Sequence, residues 1–324
     1  MGGSIGIVVG GPGSADQGGL VDIWVVVAGL IVGFVVGLTG MGGGALMTPL
    51  LVLVFGVTPL TAVSSDLVAA LVMKPVGGGL HLRRGTVHRG LVLWLALGSV
   101  PAAFAGAVIL DRFAGPQLAE RMKVLLGAVL LVAAAAMVLR AALLRRRGVV
   151  AADPTIPIER RVPVRRVPTL IVGVVGGLIV GLTSVGSGSL MIVALMLLYP
   201  NLTTAELVGT DLVQAIPLVG AAALGHLLFG SVEFGLTAAL LVGGIPGVWI
   251  GAHLSSRANT AIVRPALVAV LLLSGAKLLG ASNPVLLAGA IAGCLGVAAS
   301  VVRGRRVALP TRGAVPMPEV AVAD

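Results

Sequence analysis

The sequence predicts an all-α integral membrane protein made of two homologous, inverted repeats with one extra C-terminal transmembrane helix. Three observations carry this. The 324 residues are 57% hydrophobic and only 10% charged, whereas a soluble domain has about 25% charged residues. Apolar runs recur along the whole chain at about the 20-residue length that a helix needs to span a bilayer. One passage also occurs twice. Gly37-Leu-Thr-Gly-Met-Gly-Gly-Gly44 returns as Gly181-Leu-Thr-Ser-Val-Gly-Ser-Gly188, and beyond Pro200 the copies hold an offset of 145, matching Asp66 with Asp211 and His81 with His226. A transmembrane β-barrel would show short alternating strands instead. Duplicated apolar halves that each open on a glycine-interrupted segment point to a secondary transporter with its site between the halves.

The elements follow in order. Residues 1–21 lack Lys and Arg and contain Asp16, so they have no basic n-region and read as a loose segment rather than a signal peptide. Repeat 1 covers 22–140, with apolar segments near 23–55, 59–82, 88–110 and 120–140. An Arg- and Pro-rich linker without a packed core covers 141–167. Repeat 2 covers 168–280, with segments near 168–199, 204–229, 233–254 and 261–280. The extra helix lies within 281–302, and a tail covers 303–324.

Basic residues set the orientation. Arg83, Arg84 and Arg89, the linker arginines, Arg257, Arg264 and Arg303 to Arg306 mark cytoplasmic loops, while the connections near 56–60, 200–206 and 230–234 carry no Lys or Arg, the last two having Glu206 and Glu233 instead. Nine plain crossings would put Arg257, Arg264 and the tail outside. The conflict disappears if the first segment of each half is re-entrant, turning at 40–44 and 184–189, with three transmembrane helices after it. The halves are then inverted and the C-terminus is cytoplasmic. Arg112, Arg121 and Lys123 fall on the outer side and run against this rule. The net charge of +10 follows from the same orientation, and 3% aromatic content gives no nucleic-acid surface. Cys294 is the one cysteine, so there is no internal disulfide or multi-cysteine metal site. No nucleotide-binding, zinc-protease or serine-hydrolase motif is present. A protein that is not an enzyme and carries no cofactor or metal is the expectation.

The chemistry-bearing residues are few. Gly42, Gly43 and Gly44, with Gly186 and Gly188, sit where alanine or leucine would make a better helix. Broken backbone at membrane depth survives only inside protein or beside a cavity. A half-helix restarting there presents free N–H groups to an anion. Thr39, Ser184, Ser187 and Ser189 add hydroxyls. Close helix packing through small residues is the competing reading. Asp66 and Asp211, preceded by Ser65 and Thr210, are costly inside a membrane. Each could take a coupling proton, hold hydroxyls in place or cap its helix. Lys74 is the single Lys or Arg deep in an apolar run, with Val219 at the matching place, and Gln214 lies one turn after Asp211. It serves an anion or a structural pair with Asp66. His81 and His226 near helix ends read as interfacial caps. Pro101 and Pro246 with Gly98, Gly106, Gly243 and Gly251 read as matched kinks.

At Gly37 to Pro49, at Lys74-Pro-Val-Gly77 with His81 and Arg83 to Thr86, and at Val208 to Leu212 with Ile216-Pro217 and Gly225-His226, the chain resembles the TauE/SafE sulfite exporter family, also called the toluenesulfonate uptake permease family. The resemblance covers about 30–110 and 172–280. It implies a bacterial inner-membrane carrier of small sulfur-containing or organic anions: sulfite, thiosulfate or sulfonates. Thr39 to Ala45, Ser65, Asp66, Ser184 to Ser189, Thr210 and Asp211 would line the pathway. Ser64-Ser65-Asp66 and Ser187 depart from the common pattern and put substrate choice in doubt. The expected partners are an anionic substrate and the lipid bilayer, and a homo-oligomer is compatible. The rival readings are an uncoupled anion channel and a membrane subunit partnering a sulfur-metabolism enzyme.

Overall fold

The computed structural model describes residues 23–39, 43–112, 117–147, 158–254, 260–282, 284 and 289. The loose N-terminal segment, Gly42, almost all of the expected C-terminal helix over 281–302, and the tail lie outside the described residues. Within them every regular element is a helix.

Both long opening segments are broken. The first becomes α1 (Ile23–Thr39) and α2 (Gly44–Leu53). Repeat 1 continues with α3 (Pro59–Arg83), α4 (Arg89–Arg112) and α5 (Leu118–Arg147), and the linker holds a single turn, α6 (Ile158–Arg161). The second opening segment becomes α7 (Arg166–Thr183) and α8 (Leu190–Leu198), followed by α9 (Thr204–Phe229), α10 (Phe234–Leu254) and α11 (Thr260–Leu278). Six of these, α3, α4, α5, α7, α9 and α10, are long and apolar enough to cross a membrane. At 1.5 Å per residue the 10 residues of α2 and 9 of α8 reach about half of a 30 Å hydrocarbon core.

The halves interlace. α1 packs on α10, and its counterpart α7 packs on α4. Glycine makes both seams. A Cβ added at Gly29, Gly33 or Gly37 would meet the backbone of α10 at 2.9, 2.5 and 2.3 Å; at Gly243, Gly247 and Gly251 it would meet the backbone of α1 at 1.9, 2.3 and 2.1 Å. Gly173, Gly177 and Gly181 lie equally close to Leu95, Ser99 and Ala103 of α4. Glycines four apart form one stripe on a helix, and such stripes let membrane helices approach backbone to backbone. Gly98, Gly106, Gly243 and Gly251, expected to flank kinks, are therefore contact points, and the small-residue packing reading holds for this set.

The contacts also fix helix direction. Gly29 faces Leu240 and Gly37 faces Val248, so α1 and α10 run parallel; Gly98 faces Leu170 and Gly106 faces Gly181, so α4 and α7 do too. α3 and α9 cross antiparallel: Ser64 lies by His226, Leu71 by Gly220, Gly78 by Ile216 and His81 by Gly209.

The linker departs from its expectation. α5 carries helix to Arg147, and Ile158 and Val162 are buried in the main apolar cluster. Arg161 pairs with Glu206, whose carboxylate also closes a capping box with Thr203 at the start of α9. Polar composition hid the two apolar side chains that dock this segment.

Candidate functional site

The two helix breaks meet. Gly44, the first residue of α2, lies so close to the second break that an added Cβ would stand 2.0 Å from the Ser184 carbonyl oxygen. The second break is built from backbone that helices do not use. Ser184 ends α7 at φ 59°, and Gly186 and Gly188 follow at φ 121° and 97°. Only glycine takes such angles without strain. Neither Gly43 nor Ser189 caps its half-helix with a side chain, and the first two N–H groups of α8, those of Leu190 and Met191, donate to the Gly186 carbonyl of the break itself.

Three buried charges surround this point. Asp66, on α3, is 0% exposed; its Oδ2 accepts from Ser184 Oγ at 2.7 Å and from Thr48 Oγ1 at 3.0 Å. Its Oδ1 is buried with no hydrogen-bond partner. Asp211, on α9, is 1% exposed; it accepts from Gln214 Nε2 at 3.4 Å and from the Gly188 backbone N–H. Lys74 reaches from α3 to the second break, and its Nζ donates to Ser187 Oγ at 2.6 Å. Its charge acts on both carboxylates. Arg140 on α5 adds positive charge to Asp211. The helix-cap readings of the aspartates do not hold: Thr203 caps α9, and Asp66 lies eight residues into α3 and receives hydroxyls.

A cavity of about 20 Å³ lies beside the breaks, lined among others by Thr39, Ala45, Ser187 and Ser189. Ser189 Oγ is a second buried polar atom without a partner. Thr39 turns its hydroxyl back to Val35 O. Gly43 meets nothing closer than Val36 Cγ2 at 3.6 Å.

Ser65 and Thr210 are not in this cluster. Ser65 Oγ accepts the Glu233 backbone N–H at 3.2 Å, and Thr210 Oγ1 accepts that of His88 at 3.0 Å. The two pairs are equivalent: Ser65 and Thr210 stand 145 apart, as do His88 and Glu233, and Asp66 and Asp211. Each aspartate thus faces the interior, while the hydroxyl before it ties its helix to the loop ahead of α10 or α4. His226 is no interfacial cap. It is fully buried, with Nδ1 2.8 Å from Ser64 Oγ and Nε2 2.8 Å from Gly181 O. His81 stays near the surface and bonds Thr86.

Sequence reasoning missed Thr48, Arg140 and His88, and it singled out Ser64 without its partner His226. Thr48 stands in an ordinary apolar helix, and its role depends on Asp66, 18 residues away. Arg140 reads as the start of the linker until α5 is seen to carry it inward.

A multi-pass helical membrane protein with charged side chains buried between paired half-helices is a membrane transporter in construction. The sequence profile of the sulfite exporter TauE/SafE family matches residues 25–278, and the chain belongs to that family. It is 41% identical over 261 residues to the probable membrane transporter protein YjnA of Bacillus subtilis (strain 168), covering 80% of this chain and 100% of that one. It is 23% identical over 249 residues to the probable membrane transporter protein YdhB of the same organism, covering 77% and 96%. A probable membrane transporter protein of Xylella fastidiosa (strain Temecula1 / ATCC 700964) is 29% identical over 232 residues, covering 71% and 83%. No solved structure matches the chain.

Proposed function

We propose that the protein is a secondary transporter of small sulfur-containing or organic anions of the sulfite, thiosulfate or sulfonate class, working by alternating access across the bacterial inner membrane. The meeting of the two breaks around Lys74 carries the reading. Gly44 touches Ser184, and the Lys74 ammonium crosses to Ser187 beside the N-termini of two half-helices, neither closed by an N-cap side chain. A tetrahedral or pyramidal oxyanion is bound well by N–H groups, hydroxyls and one ammonium in a dry site.

The repeats are inverted in this proposal. Antiparallel crossing of α3 and α9, and the exchange of α1 onto α10 against α7 onto α4, support it. So does the pairing of linker Arg161 with Glu206: the charge pattern assigns the linker to the cytoplasmic side, and a re-entrant hairpin of α7 and α8 returns Glu206 to that side. α1 with α2, and α7 with α8, are then re-entrant hairpins from opposite faces, and the tail is cytoplasmic.

The site is contracted in the state described. A cavity of about 20 Å³ holds roughly one water, less than any sulfur oxyanion. In this reading the Ser65–Glu233 and Thr210–His88 ties serve as the latches of the two mouths. Opening one tie at a time would expose the site to one face. An uncoupled channel would share the site but not accumulate substrate.

Uptake of radiolabelled sulfite, thiosulfate and methanesulfonate into proteoliposomes tests the reading, with and without an imposed ion gradient. The wild type accumulates at least one of them against its gradient, and Lys74→Met, which keeps the bulk and removes the charge, does not. Equal uptake by Lys74→Met removes the proposed site, and flux that no gradient drives uphill identifies a channel.

A further inference from the structure

The aspartates are equivalent in sequence but not in surroundings. Asp211 has Gln214, the Gly188 N–H, Lys74 and Arg140 to hold its negative charge. Asp66 has two hydroxyls on one oxygen, nothing on the other, and a single charge acting on it, that of Lys74. The elements packed around Asp66 bring no other such charge among the described residues. α2 offers Thr48, the second break offers Ser184, and α1 has no titratable side chain. From α9, His226 is turned to Ser64 and Gly181, and Asp211 is itself paired. Glu233, ahead of α10, meets Ser65 through its backbone, and Arg140 of α5 acts on Asp211.

Lys74 therefore serves two masters. Its ammonium bonds Ser187, next to the cavity where Ser189 Oγ lies buried and unpartnered. An anion seated there would engage Lys74 directly. The one positive charge acting on Asp66 would then be matched by the anion, leaving a fully buried carboxylate uncompensated. An uncompensated carboxylate in a membrane interior is unfavourable enough that it takes a proton instead.

Resting on the anion-transport reading above, we infer that Asp66, and not Asp211, carries the coupling proton, and that anion and proton move together in the same direction. Binding the anion at Lys74, Ser187 and Ser189 promotes formation of an O–H bond at Asp66 Oδ1, with the proton drawn from the open aqueous face. Release of the anion leaves the Lys74 charge to act on Asp66 again, and the proton leaves. By linkage, a protonated Asp66 also strengthens anion binding by the same factor.

The test is titration calorimetry of the purified full chain in buffers of different ionisation enthalpy, with thiosulfate and methanesulfonate as probes because neither takes up a proton near neutral pH. The wild type takes up close to one proton per anion bound, seen as a buffer-dependent heat. Infrared difference spectra show a new carboxylic-acid C=O band on binding. Asp66→Asn binds without proton uptake and without that band, and Asp211→Asn keeps the band. Binding with no proton uptake, or with release, overturns cotransport while leaving the anion site standing. A band that survives in Asp66→Asn moves the proton elsewhere and overturns the assignment. A wild type that binds neither probe overturns this inference, and one that fails to bind sulfite as well overturns the anion-site reading.

Discussion

Gly44→Ala is the most exacting perturbation the structure offers. The added Cβ would stand 2.0 Å from the Ser184 carbonyl oxygen, and contacts under 3.0 Å are essentially never made, so the break must retreat by about 1 Å (3.0 − 2.0). Ser184 has little freedom to follow. It is held at φ 59° by its N–H bond to Val180 O, and its hydroxyl reaches Asp66 at 2.7 Å. A retreat of that size along the bond gives about 3.7 Å, beyond hydrogen-bond range. Asp66 would lose one of its two donors. A hydrogen bond to a charged group contributes about 1.5–3 kcal/mol, which is roughly a 10- to 150-fold loss in transport rate. Proteoliposome uptake measures the loss, and thermal unfolding in detergent separates it from failure to fold. Gly43→Ala is the control, because Gly43 is in ordinary helical conformation and its nearest neighbour is 3.6 Å away. Transport by Gly44→Ala at the wild-type rate, or equal damage from Gly43→Ala, would refute the contact between the two breaks as a requirement of function.

Three further outcomes are expected. Gly247→Ala drives a Cβ to 2.3 Å from Leu30 O and lowers thermal stability by the ~1–3 kcal/mol of an overpacked core, while Gly235→Ala on the same helix meets nothing within 4 Å and is harmless. Arg161→Ala leaves Glu206 buried beside the α9 cap and lowers the melting temperature, whereas exposed Arg165→Ala does not. Ser65→Ala and Thr210→Ala each remove one tie, so in a Cys294→Ala background a cysteine at Ala215 becomes reactive from opposite faces of sealed vesicles in the two variants. Reactivity from the same face in both would show that the ties do not close separate mouths.

The broken helices, the two aspartates and Lys74 were legible because each is a local offence against an apolar run: glycine where alanine is better, charge where none is cheap. What was not legible depends on partners far away in sequence. Gly29, Gly33 and Gly37 look like routine membrane-helix glycines until α10 lies against them. Ser65 and Thr210 sit beside the aspartates in sequence, yet one step along a helix turns a side chain by about 100°. That step sends the hydroxyls to Glu233 and His88 while the carboxylates face inward. Composition marked 141–167 as polar linker, and two apolar side chains, Ile158 and Val162, were enough to dock its end.

The glycine seams also constrain how the chain is made. Val26 of α1 rests against Gly243 of α10, a separation of 217 residues (243 − 26). When α1 leaves the ribosome, the surface that will hold it has not been translated. α1 has 17 residues, three of them the seam glycines, so alone it is a short and poorly propped span. It must wait, guarded by lipid or by the insertion machinery, until nearly the whole second half has entered the membrane. α4 is relieved sooner, when α7 arrives. The first half is therefore no stable product by itself. A gene cut within the linker would give working protein only when both pieces meet in one membrane, and a chain stalled before α10 would display an open glycine groove to the quality-control proteases of the bilayer.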